Sequence, residues 1–182
     1  MDDSTEFRTD GGATWLNLLA TKGQSFGARP IERLHSPEAL RRWLVLMGMP
    51  PAQAPTEGDL EAAIHLREEL RALAMSAAGG ASPAELDFGP LSDIAAHGSP
   101  AVTASDPRVD VRSGLAALAI QAAVTLRGPD RRFLTQCDEI DCRWVFLDPS
   151  GRRRWCPAPA CASRGRVRAH RAAAGHTPSP GV

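Results

Sequence analysis

Lysine is almost absent from this chain of 182 residues. Its single representative, Lys22, lies between threonine and glycine, so the Gly-Lys-Ser/Thr core of a phosphate-binding loop cannot be assembled and that route to nucleotide chemistry is excluded. Long apolar runs are missing as well. None approaches the roughly 20 residues that a membrane-spanning helix requires. Met1, Asp2 and Asp3 open the sequence without the positive patch or the apolar stretch of a secretory signal, so a reducing cytoplasm is the expected compartment. His35, His65 and His97 are scattered over separate predicted elements, so no catalytic constellation forms around them and no enzymatic activity is expected.

What is present is a soluble composition, 43% apolar and 23% charged, in a length that suits one ordinary domain and a small appendix. The formal net charge of zero conceals a division. Residues 1–126 hold ten Arg or Lys against sixteen Asp or Glu, and residues 127–182 hold eleven against five. A basic end on an otherwise acidic chain points to a module that meets a polyanion. The preference for arginine over lysine follows from G+C-rich coding DNA as readily as from function, so the information lies in where the arginines fall.

Along the chain, residues 1–12 are polar and expected to fray, and Trp15 to Leu19 reads as a short helix. Ser36-Pro37-Glu38 is a helix opening, with Leu40, Trp43, Leu44 and Met47 on one face and Gly48 as the stop. Thr56 and Asp59 frame a longer helix with the stripe Leu60, Ala63, Ile64, Leu70, Leu73 and Ala77. Ser82 to Glu85 opens a helical turn, and Leu91 to Gly98 reads as one more helix. Ala101 to Thr103 and Val109 to Val111 suggest two short strands. Ser113 is expected to cap a helix with Leu115, Leu118, Ala119, Ala122 and Leu126 inward, closed by Gly128-Pro129. The Pro/Gly/Ser-rich residues 175–182 read as a disordered tail.

All four cysteines, Cys137, Cys142, Cys156 and Cys161, lie in the basic segment as two pairs with four residues inside each. Four thiolates brought together by a hairpin suit a tetrahedral zinc and leave no open position for water, so the implied metal role is structural. Disulfides fit the count but not a cytoplasmic chain, and free thiols are the third alternative. Trp144 to Leu147 reads as a strand, Asp148 to Gly151 as a turn, and Arg152 to Trp155 as the returning strand. A helix starting near Cys161 carries Arg164, Arg168 and Arg171 on one side with Arg166 and His170 beside them, held by the metal and a contact from Val167. With Arg152, Arg153 and Arg154 on the hairpin, these arginines are the candidate nucleic-acid contacts.

These residues resemble the CGNR zinc-finger proteins, in which an ABATE domain precedes the finger. The resemblance rests on Trp144-Val145-Phe146-Leu147-Asp148, the arginine-rich turn, Trp155-Cys156, Cys161, Arg164, Val167, Arg168 and His170. Upstream it continues through Glu32, Leu34, Ser36, Pro37, Leu40, Trp43, Leu44, Gly48 and Leu66-Arg67-Glu68-Glu69-Leu70. It implies a stress-linked bacterial transcription regulator that contacts double-stranded DNA through the finger. A small-molecule effector site is implied in the N-terminal domain, for which Trp15, Asn17, Glu32 and Trp43 are the candidates. The chain departs from the pattern at Cys161-Ala162-Ser163-Arg164, where the family reads Cys-Gly-Asn-Arg. It departs again at Leu16-Asn17-Leu18-Leu19-Ala20-Thr21, where a carboxylate and an amide are lost. The resulting expectation is an α+β protein: a mainly helical N-terminal domain with a small β element over 1–128, and a treble-clef-like finger of hairpin and helix over 129–174. The rival readings are a zinc-stabilised module for an acidic protein partner and a small-molecule sensor without specific DNA binding.

Overall fold

In the computed structural model, which describes residues 7–98 and 108–174, the helices that start at Pro37, Glu57 and Val111 each follow a side chain that accepts a first-turn amide. Helix α1 (Thr14–Leu19) is followed by a two-stranded antiparallel sheet of β1 (Lys22–Gly23) and β2 (Ile31–Glu32). Helix α2 (Pro37–Leu46) starts at Ser36, whose hydroxyl accepts the Ala39 amide at 3.2 Å, a cap of the kind whose loss costs about 1 kcal/mol. Gly48, at φ +75°, turns the chain out of that helix. Helix α3 (Glu57–Ala78) opens on a reciprocal box: the Asp59 amide donates to Thr56 Oγ1 at 3.2 Å and the Thr56 amide to Asp59 Oδ2 at 2.9 Å. A single 3-10 turn (Pro83–Glu85), α4 (Gly89–Ala96) and α5 (Val111–Arg127) complete the helical part. A second 3-10 turn (Pro129–Phe133) then leads into β3 (Leu134–Gln136), β4 (Val145–Leu147) and α6 (Pro159–Ala174).

Helix α3 occupies the centre, packed against α1, α2, α4, α5 and the β3–β4 hairpin. Its buried stripe contains Leu60, Ala63, Leu66, Leu70, Leu73, Ala74 and Ala77. It meets Trp15, Leu16, Leu18 and Leu19 of α1, Leu40, Trp43 and Leu44 of α2, and Leu115, Leu118, Ala119, Ala122 and Leu126 of α5, all of them buried. Each large side chain of this set contributes on the order of 1.5–3 kcal/mol by leaving water. The core does not stop at Gly128: Leu134, Trp144, Val145, Phe146 and three of the cysteines belong to the same buried cluster. The fold is α+β, mainly helical, with a hairpin-plus-helix finger of treble-clef character. No helix among the described residues is long and apolar enough to cross a membrane.

Four local expectations are corrected. Residues 7–12 do not fray: Phe7 is buried, and the Gly11 carbonyl accepts the Leu147 amide at 2.9 Å. A small β element lies at β1–β2; of the two strands expected over 100–112, Ala101 to Thr103 fall outside the described residues, and in place of the second Val109 makes a lone parallel bridge with Pro51. Val111 already begins α5, because Asp110, an equally good cap, accepts the Ser113 amide at 3.1 Å and so displaces Ser113 from that role. The partner of β4 is β3, not Arg152 to Trp155, with Leu134 opposite Leu147 and Gln136 opposite Val145. The pairing follows burial, since Leu134 enters the core whereas the three arginines are exposed and offer no apolar face. Residues 175–182 lie outside the described part of the chain.

Candidate metal centre and cationic face

The knuckle between β3 and β4 carries Cys137 and Cys142, the loop after β4 carries Cys156, and the first turn of α6 carries Cys161. Backbone bonds set this arrangement. The Cys137 amide donates to the Trp144 carbonyl at 2.9 Å and the Cys142 amide to the Glu139 carbonyl at 2.9 Å. The Asp138 amide donates to the Arg154 carbonyl at 2.8 Å, which ties the second cysteine loop to the first. The knuckle is seated on the helical body by Trp144, whose indole donates to the Leu16 carbonyl at 2.9 Å. The guanidinium of Arg8 lies 5.0 Å above the same ring.

The four sulfurs all lie within 4.8 Å of one another, Cys142 and Cys156 being 4.0 Å apart. A tetrahedron with metal–sulfur bonds of about 2.3 Å has edges of about 3.8 Å, so the donor set fits one tetrahedral ion. All four are free thiols, and the disulfide alternative is overturned. Cys137, Cys156 and Cys161 are buried and Cys142 is half-buried. Hydrogen bonds from Cys142 and the other thiols draw Cys137 well below the usual thiol range. The hydrogen bond with Cys137, reinforced by burial, pushes Cys156 well above it. Four sulfurs at this spacing form one set of donors for a single metal ion. The replacements Ala162 and Ser163 leave the sulfurs untouched, Ser163 pointing outward.

The seven candidate nucleic-acid contacts are treated unequally by the fold. Arg152, Arg153 and Arg154 are exposed on a loop organised by Asp148, which accepts from Ser150 Oγ at 2.6 Å, the Ser150 amide at 3.1 Å and the Arg153 amide at 2.8 Å. Those bonds, with Ser150 first, hold Asp148 below the usual carboxylate range. Arg166 and Arg171 are exposed on α6. Arg164 and Arg168 face the knuckle instead. Arg168 Nη2 is 3.0 Å and Arg164 Nε 3.6 Å from Glu139 Oε1, a carboxylate only 1% exposed, and Arg168 also pairs with Asp141. Arg154 pairs with Asp138 at 3.0 Å. Trp155 packs edge-on against α6, where a Cβ on Gly165 would lie 2.4 Å from its Nε1. Val167, expected to brace the helix, is 49% exposed.

The four effector-site candidates are placed in structural work. Trp15 and Trp43 are fully buried in the core. Asn17 Oδ1 accepts the Gly11 amide at 2.9 Å. Glu32 makes a bidentate pair with Arg67, at 2.7 and 2.6 Å, beside which Arg67 also donates to Thr21 Oγ1 and Glu68. Arg71 bonds Glu68 and the Leu19 carbonyl. Burial opposes ionisation, yet the charge and hydrogen bonds of Arg67 hold Glu32, and Arg71 with Arg67 hold Glu68, below the ordinary carboxylate value. Sequence reasoning missed this buried network, although Leu60, Ala63, Leu70, Ala74 and Ala77 leave position 67 as the gap in a three-four apolar spacing. It also missed Gly23-Gln24-Ser25-Phe26-Gly27, which has Gly-x-Ser-x-Gly spacing. That pentapeptide joins β1 to β2, and Ser25 Oγ donates to the Lys22 carbonyl at 2.6 Å, so the strand-to-helix turn of a nucleophile elbow is not built there.

Comparison with known families gives two matches. The family model ABATE, described as "Putative stress-induced transcription regulator", matches residues 12–129. The model for the CGNR zinc finger matches residues 134–174. No curated protein and no solved structure matches the chain.

Proposed function

The chain belongs to the ABATE family and ends in a CGNR zinc finger, and from that premise we propose that it is a DNA-binding transcription regulator of the bacterial cytoplasm, acting in stress responses, whose metal is structural zinc. Cys137, Cys142, Cys156 and Cys161 would be the ligands, and bound zinc would supply folding energy rather than catalysis, since four thiolates leave no open coordination position. The observation that carries the reading is the sulfur cluster at the root of α6, which holds that helix and the Arg152–Arg154 loop on one exposed flank. Such a cationic flank suits the phosphates of double-stranded DNA.

Two measurements test it. Elemental analysis of protein purified without added metal should give one zinc per chain; a value near zero with four titratable thiols would sink the metal assignment. Titration of duplex DNA, including the gene's own upstream region, should show the binding constant falling with salt at a logarithmic slope near about −4.5 if about five phosphates are contacted, roughly 500-fold between 50 and 200 mM. Binding no tighter than roughly 10⁻⁴ to 10⁻⁶ M on every duplex would remove operator recognition. Zinc-dependent capture of an acidic protein by the same arginines would then favour the interaction module. A small-molecule effector would find room in the cavity of about 280 Å³ between α3, α4 and α5, lined by His65, Ile94, His97, Arg112 and Leu115, whereas Trp15, Asn17 and Trp43 are buried and Glu32 is paired with Arg67.

A further inference from the structure

The fold divides the finger's arginines into two sets. Arg164 and Arg168, one turn apart on α6, converge on Glu139 Oε1 at 3.6 and 3.0 Å. That carboxylate is removed from water, and Asp141 supplies a second charge to Arg168. Arg164 Nη2 also lies 3.5 Å from the Cys161 sulfur. These two cations are therefore engaged within the knuckle, and withdrawing both toward a ligand would strand a buried carboxylate.

Arg152 and Arg153 stand differently. Among the described residues their side chains have no ion pair, and the Asp148 bonds fix the backbone that presents them. With Arg154, Trp155, Pro157 and Ala162 they line an open groove of about 370 Å³ to which no carboxylate contributes. Trp155 is half-buried there, with the guanidiniums of Arg154 and Arg166 at 5.1 and 5.9 Å from its ring. A surface on which Arg152 and Arg153 carry charge not neutralised by a carboxylate complements a row of phosphodiester charges, where the Arg164 and Arg168 face, already paired, does not.

We infer that the groove of Arg152, Arg153 and Trp155 is the surface that meets the backbone of duplex DNA, and that Arg164 and Arg168 are positioning residues that clamp α6 to the metal knuckle. The inference rests on the DNA-binding reading and removes Arg164 and Arg168 from the candidate nucleic-acid contacts.

The test uses the full-length zinc-loaded protein and a labelled duplex titrated at several salt concentrations. Arg152→Ala and Arg153→Ala should each weaken binding and flatten the salt slope by about one unit. Arg164→Ala and Arg168→Ala should leave the slope as in the parent while releasing zinc faster to a chelator. Should either of these fail to fold, a second readout needs no arginine change. Of the four tryptophans, Trp15, Trp43 and Trp144 are buried, so duplex bound in the groove should quench the Trp155 component, and Trp155→Phe should remove that quench. Parent protein that binds duplex without quenching, or whose slope flattens for Arg168→Ala and not for Arg153→Ala, would overturn the groove assignment alone. Absence of salt-dependent duplex binding in the parent would overturn the DNA-binding reading and the groove with it.

Discussion

Helices α3 and α6 carry the same device and use it in different surroundings. In each, two arginines four residues apart, Arg67 and Arg71 or Arg164 and Arg168, meet carboxylates supplied by another segment or by the same helix. In α3 the arginines lie on the core side, 1% and 7% exposed, and the helix around them is held by seven buried apolar residues. In α6 they are 36% and 42% exposed, and Cys161 is the helix's buried anchor. An arginine pair at helical spacing thus says nothing of its task until the helix has found its neighbours. Packing decides whether the pair is a buried strut or a clamp at the edge of a metal site.

The largest effect should come from the anchor itself. Structural zinc binding in small domains is worth about 10–16 kcal/mol, and α6 has little apolar surface to replace it. Chelation, or Cys156→Ser, should melt the 16 residues of α6 and leave the cooperative transition of the remaining helices, because Trp144, Val145 and Phe146 keep the hairpin in the core. Circular dichroism through a thermal scan checks this. Loss of the whole helical signal in one step would show that the helical body depends on the metal as much as α6 does.

Next in size is the contrast between the two arginine pairs. Arg67→Ala empties a buried side-chain site in the core, while Glu32 and Glu68 can rehydrate, and should cost about 2–5 kcal/mol in a urea titration. Arg168→Ala leaves the buried Glu139 carboxylate facing Arg164 alone and should cost less, about 1–3 kcal/mol. Equal costs would erase the distinction between strut and clamp.

Gly165→Ala should be smaller again. Alanine favours a helix over glycine by about 1 kcal/mol, but its Cβ would meet Trp155 Nε1 at 2.4 Å, an overpacking that costs about 1–3 kcal/mol. A red-shifted Trp155 emission with a net loss of about 1 kcal/mol is expected. An unshifted emission with a gain in stability would show that the indole does not rest on α6.

The smallest effect is on pH. Glu32 and Glu68 are held below their ordinary value in the folded chain, so the unfolded chain takes up protons first as the pH falls. Their contribution is complete above the unfolded value of about 4.3 and is lost as the pH drops through the depressed folded values. Both side chains are more than a third exposed, which limits each to less than about 1 kcal/mol. Stability of Arg67→Ala measured from pH 6 to pH 3 should fall less steeply than that of the parent, and parallel profiles would remove the network from the account.

The sequence by itself determined the helices and the metal donors. Ser36, Thr56 with Asp59, and Ser82 with Glu85 act on amides within three residues, and the stripes of α2, α3 and α5 repeat at the period of one helix. The paired cysteine spacing, 137 with 142 and 156 with 161, announced a four-sulfur cluster because short loops bring such donors together at little entropic cost. Only the tertiary structure decided which strand pairs with β4, that Trp15, Asn17 and Trp43 are buried while Glu32 pairs with Arg67, and which finger arginines stay unpaired among the described residues. Strand choice followed the burial of Leu134. The arginines followed Asp138, Glu139 and Asp141, carried to them by a knuckle 16 to 29 positions earlier in the chain. A charge on a helix is legible in sequence, but its neutralisation depends on a partner that folding alone brings within reach, and at these distances the partner governs whether the charge is available to a ligand.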